Sequence, residues 1–359
     1  MSHSRARSLF LAGALVAAAL VPAAAAGAAP PSKADVARAE HDRIVSYWTP
    51  ERMRAAKPRD FERLPDGSFS LAPRPARGKS GGSGGGTGGG GTTAVTGATW
   101  SLNGTPVNEA TGKVYFQFTD TDGWICSGTV IVDGGVSTQS LVLTAGHCAY
   151  DQKTGSFAKN WMFIPDFDER PTYDCPSTEY GCWTAKALVA HEGFTTEAAF
   201  TTRATLHDFA VAVVGPGGKA GVKEDLDAAV GSAYGLKFSQ EADLSGGKVA
   251  SAFGYPAAKK YNGSVLTYCS GPTTTDPYNG GLTWGLACDM TGGSSGGPWF
   301  DSSLDLRSGT SGAVVSLNSY GYQGQNYMFG PRFNSETRAV YDAALGGTAA
   351  GGAVIHALP

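Results

Sequence analysis

From about Thr99 onward, short apolar runs alternate with polar breaks rich in Gly, Asp, Asn and Pro. Such runs, bounded by turn residues, predict strands near Val114–Phe118, Ile125–Ile131, Leu141–Thr144, Trp161–Ile164, Lys186–Ala190 and Phe209–Val214. Further strands are expected near Lys248–Phe253, Val265–Cys269, Leu282–Cys288, Gly297–Phe300 and Ala313–Leu317. No long helical period separates them, so the pattern predicts an all-β domain, an antiparallel sandwich or barrel. One helix is expected near the end, where Asn334 or Ser335 caps Glu336–Leu345 and Gly346-Gly347 stops it.

The first hundred residues read differently. Arg5 and Arg7 precede an apolar run from Leu9 to Val21, and Ala24-Ala25-Ala26 follows, which predicts a secretory signal over residues 1–29. No later run reaches about 18 apolar residues, so no membrane span is expected once the signal is removed. Residues 30–79 form a separate piece. Ser32 caps a helix running to Tyr47-Trp48, with Val36, Ile44 and Tyr47 near one face, and Thr49-Pro50 starts a second helix. Residues 80–98 are a glycine-rich flexible linker, which leaves 99–359 as the main domain. A short segment between a signal and a linker reads as a removable propeptide, a partner for its own domain.

Composition supports this division. The chain is 42% apolar, 16% charged and carries a net charge of −3. The charge is uneven, with 13 basic and 7 acidic residues up to position 98 and 15 basic and 24 acidic beyond it. An acidic main domain argues against a nucleic-acid partner, and the two parts attract each other. Six cysteines lie between positions 126 and 288. After a secretory start, disulfides are the default. Six allow 15 pairings; sequence neighbours suggest Cys126–Cys148, Cys175–Cys182 and Cys269–Cys288. No CxxC occurs and only His147 adjoins a cysteine, so a metal site is not expected.

Three stretches carry candidate chemistry. Gly292-Gly293-Ser294-Ser295-Gly296-Gly297-Pro298 puts a serine in a glycine turn, which gives a nucleophile and lets a carbonyl approach backbone N–H groups. Leu141-Val142-Leu143-Thr144-Ala145-Gly146-His147-Cys148 puts a histidine just past a buried strand, beside a cysteine that pins it. Asp208 opens the apolar strand Phe209–Val214, and a carboxylate so placed needs partners.

With the order His147, Asp208, Ser295, the chain resembles the trypsin/chymotrypsin family of serine endopeptidases over roughly residues 99–345. The resemblance rests on Thr144-Ala145-Gly146-His147-Cys148, on Asp208 with its strand, and on Gly293-Ser294-Ser295-Gly296-Gly297-Pro298. It implies two six-stranded antiparallel barrels followed by a C-terminal helix, with the site between the barrels. It also implies His147 as base, Asp208 as its orienting acid, Ser295 as nucleophile, and the N–H groups of Gly293 and Ser295 as oxyanion hole. The expected protein is a secreted, extracellular monomer that cuts proteins or peptides without metal or organic cofactor.

The match departs from the family in places. Where trypsin carries an aspartate before the nucleophile, Ser294 stands, and no Ile-Val-Gly-Gly-like start follows the linker. Activation is therefore expected to remove a covering segment; glutamyl-endopeptidase-like relatives also lack this aspartate, and the chain resembles them in Gly292-Gly293-Xaa-Ser295. Asp289, six residues before Ser295, invites a preference for Arg or Lys, but Thr291 replaces an expected cysteine and the pocket wall must differ. Met290 is expected to line that pocket, and Ser316, Leu317 and Asn318 to pair with substrate backbone. A glutamyl preference wants a histidine near there, and none occurs between His207 and His356. Gly293-Ser294-Ser295-Gly296-Gly297 also fits the α/β-hydrolase elbow, but that fold needs its histidine later, where only His356 remains. The alternative of another class is a non-catalytic secreted binding protein on the same fold.

Overall fold

A computed structural model describes Met1 and residues 31–72, 96–135, 139–167, 173–223 and 225–358. The expected signal after Met1 and most of the glycine-rich linker lie outside the described residues. The N-terminal segment comprises α1 (Lys33–Tyr47), α2 (Pro50–Ala55), β1 (Lys57–Pro58), β2 (Phe61–Arg63) and β3 (Phe69–Leu71). The Ser32 side chain caps α1 and shares a capping box with Asp35, while Thr49 caps α2 with Pro50 at its start.

The next part runs through β4 (Ala98–Thr99), α3 (Pro106–Ala110), β5 (Thr111–Gln117), β6 (Trp124–Ile131), β7 (Ser140–Thr144), β8 (Tyr150–Asp151) and β9 (Ser156–Phe157). It continues with β10 (Lys159–Pro165), β11 (Cys182–His191), α4 (Glu192–Thr195), β12 (Ala210–Gly218) and α5 (Leu226–Val230). Strands β6, β5, β10, β11, β12 and β7 pair in that order, and β7 returns to β6, which closes a six-stranded antiparallel barrel. Every residue of β5 and β7 is buried, so these strands lack the polar alternation of a half-solvated sheet.

The second sheet is built from β13 (Val249–Gly254), β14 (Thr267–Thr275), β15 (Trp284–Ala287), β16 (Pro298–Asp301), β17 (Val314–Leu317), β18 (Tyr320–Tyr322) and β19 (Tyr327–Gly330). Here the fold departs from the expected second closed barrel. The order is β17-β16-β13-β14-β15-β19-β18, and no pairing among the described residues joins β17 to β18. An open edge leaves unpaired N–H and C=O groups, and the N-terminal segment satisfies them: β2 adds to β18 in parallel and β3 adds to β2. Finally α6 (Ser335–Gly346) starts at the Asn334 cap, and β20 (Ala353–Ala357) pairs with β11.

The N-terminal segment is packed as part of the molecule. Strand β1 pairs in parallel with the start of β6. Ile44, Trp48 and Met53 are buried in the same hydrophobic cluster as Tyr115 and Val114. The Trp48 ring lies 5.5 Å from that of Tyr115, and its Nε1–H donates to Asn160 O at 2.7 Å. Three disulfides form: Cys126–Cys148, Cys175–Cys182 and Cys269–Cys288. Among the described residues, no helix is long and apolar enough to cross a membrane.

Candidate active site

Strand β7 ends at Thr144, whose Oγ1 donates to Ser127 O of β6 at 2.9 Å. The chain then makes one tight turn, Gly146–Cys148, and the disulfide from Cys148 to Cys126 ties that turn to β6. His147 is thereby fixed in the barrel wall with no solvent exposure. A Cβ at Gly146 would lie 3.1 Å from both Asp208 Oδ1 and Phe194, so a side chain here would press on the group beside His147.

Asp208 follows a short turn and opens β12, fully buried. Its Oδ2 lies 2.8 Å from His147 Nδ1, and its Oδ1 accepts from the His147 backbone N–H at 2.8 Å. The carboxylate therefore grips both the ring and the main chain of one residue. Oδ2 also accepts from the Ser319 hydroxyl at 2.5 Å. Three donors thus satisfy the oxygens of this buried carboxylate.

Ser295 sits in the loop before β16. Gly296 has φ +83°, and a Cβ there would fall 2.4 Å from Ser127 O, so the loop can lie against β6 only with glycine at this place. The Gly292 carbonyl is drawn away by Ala257 N–H at 2.7 Å. The Ser294 carbonyl is drawn away by Gly297 N–H at 3.0 Å and Asn318 Nδ2 at 2.9 Å. A trans peptide points its N–H opposite to its C=O. The N–H groups of Gly293 and Ser295 thus turn the other way, a geometry able to hold an oxyanion. Ser294, where an aspartate stands in trypsin, gives its hydroxyl to Thr291 O at 2.9 Å within the same loop.

The cleft is occupied by the chain itself. Arg59 O lies 3.1 Å from His147 Nε2, and Ser295 Oγ donates to Asp60 Oδ1 at 3.3 Å. Phe61 stacks on Phe200 at 4.0 Å and meets the His147 ring edge-on at 5.4 Å. The Arg59 guanidinium is buried: Nε donates to His147 O at 2.8 Å, Nη2 pairs with Asp151 at 2.6 Å, and Phe118 lies 4.6 Å beneath it. Burial lowers the Arg59 pKa below its ordinary value, against the pull of Asp151. Burial also raises the Asp60 carboxyl from 3.8 to about 6, although His147, the Ser295 hydroxyl and Lys259 oppose the rise.

The expected substrate residues divide. Asp289 and Met290 line a cavity of 260 Å³ beside the serine loop. Ser316, Leu317 and Asn318 do not line it: all three are fully buried in or just after β17. Ser316 Oγ is bound to Pro331 O, and Asn318 is tied to Phe253 O, Ser294 O and Trp299 Nε1, so it braces the serine loop. The strand that borders the cleft is β18, one step further along the chain, where Gly321 and Tyr322 line the cavity. Sequence reading missed this short strand and with it Ser319, because Ser319-Tyr320-Gly321-Tyr322 lacks an apolar run. The Cys126 and Cys148 sulfurs beside His147 are used by their disulfide and are no metal ligands.

The family model for a trypsin-like peptidase domain matches residues 126–307. Among solved structures, a thermostable serine protease AL20 from an extremophilic microorganism is 38% identical, with a TM-score of 0.54, over 66% of this chain and 97% of that one. Protease Anisep from Arthrobacter nicotinovorans is 36% identical, with a TM-score of 0.53, over 67% and 97%. A Glu endopeptidase shares the fold at 19% identity and a TM-score of 0.50, over 69% and 96%. No curated protein matches the chain.

Proposed function

The chain belongs to the trypsin-like peptidases and is a serine endopeptidase, and from that premise we propose that it is a secreted enzyme made as a precursor whose residues 30–79 close its own active site. In this reading residues 1–29 direct secretion, 80–98 link segment to enzyme, and 99–359 are the protease domain. Three disulfides agree with an oxidising compartment.

The catalytic reading is carried by the double grip of Asp208 on His147, through ring and backbone, both at 2.8 Å. Asp208 fixes the tautomer with Nδ1–H, which leaves Nε2 to take the Ser295 proton as Oγ attacks a peptide carbonyl. His147 then hands that proton to the leaving amine, and water repeats the sequence on the acyl-enzyme. The N–H groups of Gly293 and Ser295 receive the oxyanion, each worth about 3–4 kcal/mol.

The precursor reading rests on what fills the cleft. Arg59 O takes the outer nitrogen of His147, in place of the serine hydroxyl, while Asp60 takes that hydroxyl. The Arg59 carbonyl oxygen faces the base, not the oxyanion donors, so the Arg59–Asp60 peptide bond is held in a non-productive pose. This supports activation by removal of a covering segment, and a hydroxyl at position 294 needs no new chain end to pair with. The test is hydrolysis of an unstructured protein by the secreted chain before and after cleavage within the linker. Activity that appears only after cleavage and is lost in Ser295→Ala supports the proposal. Equal activity before and after cleavage refutes the precursor part.

A further inference from the structure

The cavity lined by Asp289, Met290 and Thr291 adjoins the serine loop, and its charges do not suit a basic side chain. Asp289 at its base is fully engaged. Oδ1 accepts from Gly97 N–H at 2.8 Å and from Tyr261 O–H at 2.6 Å, and Oδ2 pairs with Lys260 at 2.6 Å. Burial works against ionisation, yet the Gly97 N–H, Lys260 and Tyr261 hold this carboxyl below its ordinary value. Gly97 is the residue just before β4, which pairs with β14. Asp289 therefore anchors the end of the linker where it meets the protease domain. To bind a lysine or arginine it would have to give up one of these partners.

The lysines tell the other half. Lys259 and Lys260 both line the cavity, against the single domain carboxylate of Asp289. Lys259 is held at φ +57°, a conformation rare for a residue with a side chain, in the loop after β13. Its Nζ lies 3.7 Å from Glu62 Oε1. Glu62 belongs to the N-terminal segment and lines the cavity together with Asp60. With the segment in place, Lys259 has an acidic partner inserted beside it. When the segment leaves, that partner leaves too, while Lys260 stays neutralised by Asp289. The vacated cavity then presents one uncompensated cation where Asp60, the partner of Ser295, and Glu62 had been.

We propose that Lys259 is a specificity-determining residue, and that the enzyme prefers an acidic side chain in the residue before the cleaved bond, placed where Glu62 now sits. The inference rests on the Ser295–His147–Asp208 reading given above. It needs no histidine on the β17–β18 side, since the cation comes from the opposite wall. A cation facing the substrate also repels Lys and Arg side chains, so it selects in both directions.

The experiment uses the processed enzyme and four fluorogenic peptides that differ only in carrying Glu, Gln, Lys or Phe before the cleaved bond. Glu should exceed Gln in kcat/KM by about tenfold or more, the scale of one charge-assisted contact. Lys259→Ala should bring the Glu-to-Gln ratio close to one, and raised salt should shrink the ratio in the parent enzyme. Lys259→Glu should turn the preference toward Lys. A parent enzyme that prefers Lys or Phe overturns the inference, as does a Glu-to-Gln ratio that Lys259→Ala leaves unchanged. If Ser295 reacts with a fluorophosphonate in these preparations, such a result strikes this inference alone. If no peptide is cut and Ser295 does not react, the catalytic reading itself fails.

Discussion

Ser295 Oγ donates to Asp60 Oδ1, so the proposed nucleophile is bonded to a carboxylate from the chain's own N-terminal segment. Asp60 carries its charge into a closed cleft, and burial, helped by Glu62, raises its pKa from 3.8 to about 6 against His147, the Ser295 bond and Lys259. The raised value belongs to the docked state, so docking is strongest while the carboxyl is protonated. The added affinity is full below about pH 4 and is lost as pH rises through about 6. Between those limits the inhibition constant of residues 31–72, added to processed enzyme, should rise by up to about tenfold per pH unit. Asp60→Asn should flatten that slope and inhibit more strongly at neutral pH. A pH-independent constant for the parent segment would contradict this assignment.

Arg59→Ala should loosen the plug. The guanidinium is almost wholly buried on His147 O and Asp151, and its removal leaves Asp151 without its cation. A loss of about 3 kcal/mol is expected, or roughly a hundredfold in segment affinity. Competition against a fluorogenic substrate measures it. The same change in the uncut chain should let activity appear before cleavage.

Ser319→Ala tests the third donor on Asp208. The Ser319 hydroxyl bonds Asp208 and through it acts on the position of His147. A hydrogen bond to a buried charge is worth about 1.5–3 kcal/mol, so kcat should fall by roughly ten- to a hundredfold with KM little changed. Ser319→Thr should restore part of the rate. A fall in KM terms alone would show that β18 was disturbed instead.

Gly296→Ala should damage the site as a whole. The residue has φ +83°, and the new Cβ would meet Ser127 O at 2.4 Å and Thr144 Oγ1 at 2.3 Å. Both the strained backbone and the contact with β6 oppose it, at a cost of about 2 kcal/mol or more. The melting temperature of the purified chain reads this loss, and an unchanged value would mean that the loop can move off β6.

The sequence pattern reached far in the first barrel and less far in the second. The strands around His147 and Asp208 are long and apolar because both faces are covered, and that made them visible. Likewise Ser32, Thr49 and Asn334 are caps that can be read from residue type alone. Strand β18 was not visible, since its three residues Tyr320, Gly321 and Tyr322 hold no aliphatic run. The substrate strand was therefore expected at Ser316–Asn318, which is core. Nor does a pattern of apolar positions show that Arg59 and Asp60, two charged residues in a basic stretch, would pack against His147 and Ser295. That depends on the free edge of a strand over 250 residues away in sequence, which composition does not report.

The most direct measurement is the reaction of a fluorophosphonate with Ser295, followed by mass spectrometry of the labelled peptide. The account predicts rapid labelling of the processed domain, slow labelling of the uncut chain, and none in His147→Ala. Labelling of the uncut chain as fast as the processed domain would contradict the blocked cleft. Absence of labelling in the processed domain would contradict Ser295 as the nucleophile.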